Sequence, residues 1–262
     1  MGKNREPLKY VYGPVSSWRL GASLGIDPIS EKTKICTYDC VYCQLGRTDS
    51  FTDGRTRFVE TAEIIKELRS IGDVKADFIT FSGRGEPTLA ENLGQMIRAV
   101  RKARKEKIAV ITNSSLLCRD DVQEDLMGAD IVIAKLDAHS KALFEDMNRP
   151  METIKFDAVV SGLKDFRKRF KGSVELQIMF TAANRGYAGE IASLCREISP
   201  DRVYLNTPLR HCESTIVTEQ EMGQIEAHFG GLEAMSVYRA EKRAVTPIST
   251  AETMLRRGKS FK

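Results

Sequence analysis

Three cysteines, Cys36, Cys40 and Cys43, fall within eight positions in "CTYDCVYC", half of the six thiols in a 262-residue chain. Thiols so close together serve as a disulfide, a closed zinc site, or an iron–sulfur cluster with something left open. A disulfide would leave one of the three over, and a chain able to bury a sizeable core does not need staples. Structural zinc wants a fourth nitrogen or sulfur ligand, yet His139, His211 and His228 all lie far along the chain. A cubane [4Fe–4S] cluster normally takes four thiolates. With three, one iron keeps positions open where a substrate or cofactor can coordinate. A zinc-stapled adaptor without catalysis remains the non-enzyme alternative.

Such a loop needs elements to position it, and the chain supplies an alternating series. Short β-branched and aromatic runs at 77–83, 107–113, 130–138, 173–180 and 202–207 end in Gly, Asn, Asp or Thr, as buried parallel strands do. "SLGIDPI" (23–29) reads as a weaker first strand. Helical patterns lie between, at 61–71 (behind Thr61, which opens a T-x-E pattern), 90–105, 120–127, 152–170 and 187–198, with a sixth at 218–229. Six β–α units without a long linker argue for one parallel α/β sheet. They are too few for a closed eight-stranded barrel, so a curved, partly open one is expected. Its loops after the strands' C-terminal ends should form the active face. The barrel domain is expected over residues 1–230, with a short strand ("MSVYRA", 235–240) and a basic tail in 231–262. Neither G-x-G-x-x-G nor G-x-x-x-x-G-K-[ST] occurs.

Composition is that of an ordinary soluble enzyme, 42% hydrophobic and 29% charged. The polar start carries no apolar secretory region and no run approaches a membrane span of ~20 residues, so a cytoplasmic chain is expected. The net charge of +4 is uneven. Residues 239–262 hold seven Lys or Arg against two Glu, and the rest of the chain is nearly neutral. Such a tail suits a polyanionic partner. Alternatively it packs on the barrel, with "VTPI" (245–248) and Met254–Leu255 as apolar anchors. The second basic run, 98–107, reads as the solvated face of a helix.

The C-x3-C-x-Y-C motif, with Tyr42 before the last cysteine, resembles the signature of the radical S-adenosylmethionine (SAM) superfamily. The resemblance implies a [4Fe–4S] cluster on Cys36, Cys40 and Cys43. Its open iron binds SAM, and an electron cleaves SAM to methionine and a 5′-deoxyadenosyl radical that abstracts hydrogen from the substrate. It also implies a low-potential electron donor of flavodoxin or ferredoxin type. "SGRGEPTL" (82–89) resembles the Gly-Gly-Glu segment that holds the methionine amino group: Gly85 and Glu86 match, Arg84 replaces the first Gly, and Gly83 keeps a small residue one step earlier. By the same resemblance Asn113, Ser114 and Ser115 in "TNSSL" are candidates for ribose or carboxylate contacts, and Lys135 and Asp137 in "AKLDA" for the SAM carboxylate and ribose. Asn206 and Pro208 in "LNTP" match the adenine stretch. A buried Lys–Asp brace is the alternative for Lys135 and Asp137.

Within the superfamily, "YGPVSSWRLGASLGID" (12–27), "CVYCQLGRT", "FSGRGEPTL", "NRP" (148–150) and "LNTP" resemble the iron–sulfur oxidoreductases related to wyosine-type tRNA base synthases. Trp18 stands where that pattern has Arg, with Arg19 retained. Those synthases carry a second cluster on upstream cysteines, and no cysteine precedes Cys36 here. Cys195 reads as helix core; Cys118 and Cys212 follow strands and could approach the active face. The resemblance favours tRNA or RNA base modification by a monomer. Glycyl-radical activation and small-molecule cofactor biosynthesis are the enzymatic alternatives.

Overall fold

The computed structural model describes residues 8–241 and 243–257. The chain enters through a hairpin, β1 (Val11–Ser17) and β2 (Gly21–Ile26), and crosses the active face through two short strands, β3 (Ile35–Cys36) and β4 (Ser50–Phe51). Then come α1 (Thr61–Ser70), β5 (Phe78–Phe81), α2 (Leu93–Ala103), β6 (Lys107–Thr112), α3 (Asp120–Leu126), β7 (Ile131–Lys135), α4 (Lys141–Asn148) and α5 (Phe156–Arg169). The last elements are β8 (Ser173–Met179), α6 (Ala188–Ile198), β9 (Arg202–Asn206), α7 (Glu219–Ala227), β10 (Ala234–Ser236) and α8 (Thr250–Arg257). The main sheet runs β1-β2-β5-β6-β7-β8-β9-β10, parallel throughout except for the antiparallel β1–β2 pair. This is the expected half-barrel: six parallel strands in chain order, extended by β10 at one edge and β1 at the other.

Each helix is fixed by an apolar stripe. In α2, Leu93, Met96, Ile97 and Val100 are fully buried, while Arg98, Arg101 and Lys102 on the other face are exposed. Thr61 does not cap α1 as its T-x-E pattern suggests. The N-cap position belongs to Glu60, and Thr61 is buried in the first turn, accepting from Asn92 Nδ2 at 3.3 Å. Thr218 and Glu221 do form a reciprocal capping box on α7.

Strand alternation divides the interior in two. Leu24, Ile79, Ile108, Val110, Val132 and Leu176 face the helices in the large outer core. Ala109, Ile133 and Tyr204 face the barrel lumen, where they meet Leu20 and Trp18 from the turn of the β1–β2 hairpin. Trp18 packs edge-on against Tyr204 with ring centroids 5.3 Å apart. The hairpin turn therefore plugs the floor of the half-barrel.

Residues 245–257 run along β1. Ile248 N donates to Gly13 O at 2.6 Å and Gly13 N donates to Thr253 Oγ1 at 3.1 Å. The apolar anchors expected in this segment are only partly realised. Ile248 packs on the core, but Met254 and Leu255 are about half exposed. The buried residue is Arg256, whose Nε lies 3.2 Å from Asp27 Oδ2 and whose guanidinium bonds Lys9 O and the Glu252 carboxylate. Lys242 and 258–262 of the basic tail lie outside the described residues.

Candidate active site

The three thiols sit on the loop that crosses the C-terminal ends of the strands. Two backbone hydrogen bonds join this loop to the turn after β5: Ile35 N to Arg84 O (3.3 Å) and Glu86 N to Ile35 O (3.2 Å). The approach leaves no room for a side chain. A Cβ on Gly85 would stand 1.8 Å from Ile35 O, and one on Gly83 would stand 2.2 Å from Asp27 Cγ. Both glycines are therefore demanded by contact, and Arg84 between them points out to bond Lys32 O.

The "NRP" segment clasps the same loop from the opposite side. Asp39 N and Val41 N donate to Asn148 O and Met147 O, each at 3.0 Å, and Met151 N donates to Thr37 O at 2.9 Å. Asn148 Nδ2 bonds Tyr42 Oη (2.9 Å) and Asp137 Oδ2 (3.0 Å) and lies 3.4 Å from Cys40 Sγ. Tyr42 Oη also bonds Asp137 directly. Asp137 Oδ1 accepts Met179 N at 2.7 Å and pairs with Lys135 Nζ at 3.1 Å, and that ammonium lies over the Tyr42 ring. The Lys–Asp pair, Tyr42 and Asn148 thus form one network beneath the thiol loop.

Glu86 is almost fully buried, with four donors on its carboxylate. Oε1 accepts Thr88 N (3.1 Å), Thr88 Oγ1 (2.7 Å) and Thr112 Oγ1 (2.6 Å), and Oε2 accepts Asn113 N (2.6 Å). Burial raises its pKa, and the bonds from Thr112, Asn113 and Thr88 work against that rise. Oε2, with one donor, keeps acceptor capacity. Asn113 Nδ2 bonds Thr37 Oγ1 at 2.7 Å and lies 3.5 Å from Cys36 Sγ. Ser114 and Ser115 are buried and partnered within the protein: Ser114 Oγ donates to Lys135 O, and Ser115 Oγ accepts from Thr37. Asn206 is buried at the end of β9, and its Oδ1 has no partner among the described residues.

Burial pushes Cys36 up to about 12, helped by the Glu86 and Cys40 charges, and burial pushes Cys40 up to about 11. Free thiols in these positions keep their protons at neutral pH, so loading with metal must release them. Sequence reasoning passed over Lys34, two residues before Cys36. Its Nζ donates to Gly46 O at 2.8 Å and lies 3.7 Å from Asp39, on a side chain 6% exposed. Burial pulls this ammonium down, but Cys43, Cys36 and Cys40 outweigh it and raise it overall. Asn148 was missed as a separate residue too, although the quoted "NRP" contains it.

Among the described residues, no three His, Cys, Asp or Glu side chains gather round a point where one metal ion could sit. A cubane binds each cysteine through a different iron. Sulfurs held separately on one rim, with amide donors on two of them and a cation beside all three, fit a cluster. Of the other thiols, Cys195 is buried in α6 as expected, Cys118 is exposed, and Cys212 lies near enough to Cys43 for their charges to interact.

Comparison with known proteins gives the family and the fold. The Radical SAM superfamily profile matches residues 30–195. The chain is 40% identical over 206 residues to UPF0026 protein slr1464 of Synechocystis, covering 76% of each. It is 36% identical over 235 residues to a protein named GTPase Obg from Brachyspira hyodysenteriae, spanning 87% of this chain but 34% of that one. It is 22% identical over 209 residues to a probable GTP 3′,8-cyclase of Metallosphaera sedula, 79% of this chain and 64% of that protein. Among solved structures, Streptococcus suis SuiB bound to precursor peptide SuiA aligns with TM-score 0.63 and 16% identity over 84% of this chain and half of that one. TYW1 with a lysine–pyruvate adduct bound aligns with TM-score 0.60 and 13% identity, over 80% of this chain and 74% of that one. These structural likenesses are of fold.

Proposed function

Because the chain belongs to the radical SAM superfamily, enzymes that use a [4Fe–4S] cluster and SAM, we propose that Cys36, Cys40 and Cys43 hold the cluster and that the substrate reacts inside the half-barrel lumen. A cluster held by these three thiols would supply the electron for reductive cleavage of SAM to methionine and a 5′-deoxyadenosyl radical. The observation that carries this reading is the clasped thiol loop. It is joined to the Gly83–Glu86 turn on one side and to Met147–Met151 on the other, over a lumen plugged at its floor.

The chain's own residues then have separable tasks. Asn113 and Asn148 aim amide donors at Cys36 and Cys40, which favours charged sulfur over the protonated thiol. Asp137 fixes Tyr42, and Glu86 holds the Thr112–Asn113 strand end so that Oε2 can accept an ammonium from SAM. Lys135, with donors beyond its pair with Asp137, and Asn206, whose Oδ1 has no partner among the described residues, supply polar contacts for the rest of SAM. The Trp18–Leu20 plug excludes water from below, which protects a radical from quenching.

A nucleotide is the first candidate substrate, because a relative is named as a probable GTP 3′,8-cyclase. RNA base modification is the second reading, favoured by the Lys and Arg excess of 239–262. Against it, Arg239 pairs with Glu226, Arg243 with Asp77 and Arg256 with Asp27, so much of that charge is met within the protein. Filter binding to bulk tRNA at two salt concentrations separates the two. Each phosphate contact adds roughly 0.7–0.9 to the log–log salt slope, and a flat slope removes RNA.

The cluster assignment is tested on anaerobically reconstituted protein. About four irons and four sulfides should bind, and Cys43→Ala should abolish both that loading and 5′-deoxyadenosine formation from SAM and dithionite. A Cys43→Ala protein that still cleaves SAM would overturn the assignment.

A further inference from the structure

The loop that follows β9 reaches across the mouth of the half-barrel. Its ends meet in a closed stem. Thr207 and Val217 are both buried, Val217 N donates to Thr207 Oγ1 at 2.8 Å, and Tyr238 Oη donates to Val217 O. The residues between belong to no helix or strand, as in other compact loops with joined ends, and Leu209 and Ile216 among them are exposed. At the tip, the Glu213 carboxylate takes one arginine from each of two distant segments. Oε1 accepts Arg47 Nε at 3.2 Å, and Oε2 accepts Arg149 Nη1 at 2.9 Å.

Arg47 follows Cys43 on the thiol loop, and Arg149 belongs to the Met147–Met151 clasp. The thiol loop comes after β2 and Glu213 after β9, and these two strands stand at opposite ends of the six-stranded parallel half-barrel. The contact therefore joins the last loop of the rim to the first and turns an open rim into a ring. Arg149 shows that its side chain matters here. It caps α4 in the left-handed conformation, φ 43° and ψ 62°, where glycine is the ordinary choice and a side chain strains the backbone. What arginine supplies there and glycine could not is a guanidinium on Glu213, 3.9 Å from Asp39. Arg47, Arg149 and Glu213 are all exposed. Exposed ion pairs are individually weak and are screened by salt, so this join holds a loop but releases it readily.

We propose that residues 207–217 form a lid on the mouth of the lumen, latched by Glu213 to Arg47 and Arg149, and that its opening governs the exchange of SAM and substrate with solvent. The assignment rests on the reading that SAM binds in the lumen beside the thiols, and it supplies the gate for that site. Latched, the lid retains what is bound and keeps water out; released, it lets molecules pass. Glu213 is a positioning residue, since it acts through the two loops it joins. Entry and exit share one gate, so loosening the latch accelerates both and leaves affinity nearly unchanged.

The test compares the wild-type protein with Glu213→Gln and Arg149→Gly. The two variants change net charge in opposite directions, and glycine suits the left-handed backbone at 149, so a shared effect comes neither from charge nor from misfolding. Alkylation by iodoacetamide, resolved by peptide, reads the latch without SAM. Cys212, beside Glu213 and half-buried with its Sγ on Ser214 O, is compared with exposed Cys118 in the same molecules. The Cys212-to-Cys118 ratio should rise about threefold to tenfold in both variants at low salt, the range that two exposed pairs supply. At about 1 M salt the wild type should approach the variants. In the anaerobic, cluster-loaded proteins, labelled SAM should associate and dissociate faster by similar factors, with its Kd changed by less than about twofold. An unchanged alkylation ratio would overturn the proposal, and so would a raised ratio with unaltered SAM rates. Faster dissociation alone would also overturn it, by making Glu213 and Arg149 part of the SAM site. Wild-type protein that binds no SAM would instead count against the cluster reading, and the alkylation ratio would still decide the latch.

Discussion

Arg256→Ala should be among the most destabilising changes outside the core. Arg256 and Asp27 are 6% and 0% exposed, and the substitution leaves a buried carboxylate without its cation. Removing one partner of such a pair costs about 3–5 kcal/mol. The lower end applies here for two reasons. Asp27 keeps backbone N–H bonds from Ile29 (3.2 Å), Ser30 (3.0 Å) and Arg84 (3.3 Å). The Arg256 Nε contact, though 3.2 Å from Asp27 Oδ2, is an ion pair without a hydrogen bond's alignment. About 3 kcal/mol, divided by a urea m-value of about 2–3 kcal/mol per molar for a chain of this size, shifts the midpoint by about 1–1.5 M. The penalty should depend on pH in a definite direction. Burial raises the Asp27 pKa, while bonds from Ser30, Ile29 and Arg84 and the Arg256 charge pull it back. A carboxyl raised in the folded state favours folding at low pH, and that contribution fades as pH climbs from the unfolded value of about 3.9 through the folded one. Without Arg256 the folded value climbs further, so the variant and wild type should converge in mild acid and separate at pH 7.5. Urea unfolding followed by circular dichroism at pH 5 and 7.5 reads both effects. Asp27→Asn and the double variant should show coupling above about 1.5 kcal/mol. A cost under about 1 kcal/mol at pH 7.5, or an equal cost at both pH values, would refute the reasoning.

Gly85→Ala should abolish cluster loading, or fold only with the thiol loop displaced, because its Cβ would collide with Ile35 O; iron content of the reconstituted variant measures this. Glu86→Gln sets an amide N–H against one of four donors and should cost about 1–3 kcal/mol in urea unfolding, while lowering SAM affinity more than iron content. Lys34→Gln removes the cation beside the three thiols, and the cluster's midpoint potential, read by electron paramagnetic resonance in a redox titration, should fall. An unchanged potential would mean that Gly46 and Asp39 hold that charge away from the cluster.

Much of the half-barrel was legible because its signals are local. The parallel strands are mostly buried and rich in apolar residues, and the expected 107–113 and 202–207 fall within a residue of β6 and β9. What escaped depends on partners far along the chain. β1 reads "VYGPVSS", with Gly and Pro at its centre, and only its edge position tolerates that. α4 and α8 are eight residues each, too short for periodicity to stand out. The thiols stood out by type and spacing, and Gly85 and Glu86 were singled out by their resemblance to the Gly-Gly-Glu segment. The clasp by residues 147–151 runs through backbone atoms, which carry no residue signature, and Arg256's burial required knowing that α8 reaches Asp27.

The plug has a practical consequence. Trp18 is the chain's only tryptophan, and it lies on the lumen floor against Tyr204 with the Arg19 guanidinium over its ring. Its fluorescence is therefore a single-site optical gauge of that floor, built in without labelling. An absorbing iron–sulfur chromophore at the rim would quench it, so emission should report loading of the rim. Stopped-flow emission could then time the filling of the rim in one unmodified protein.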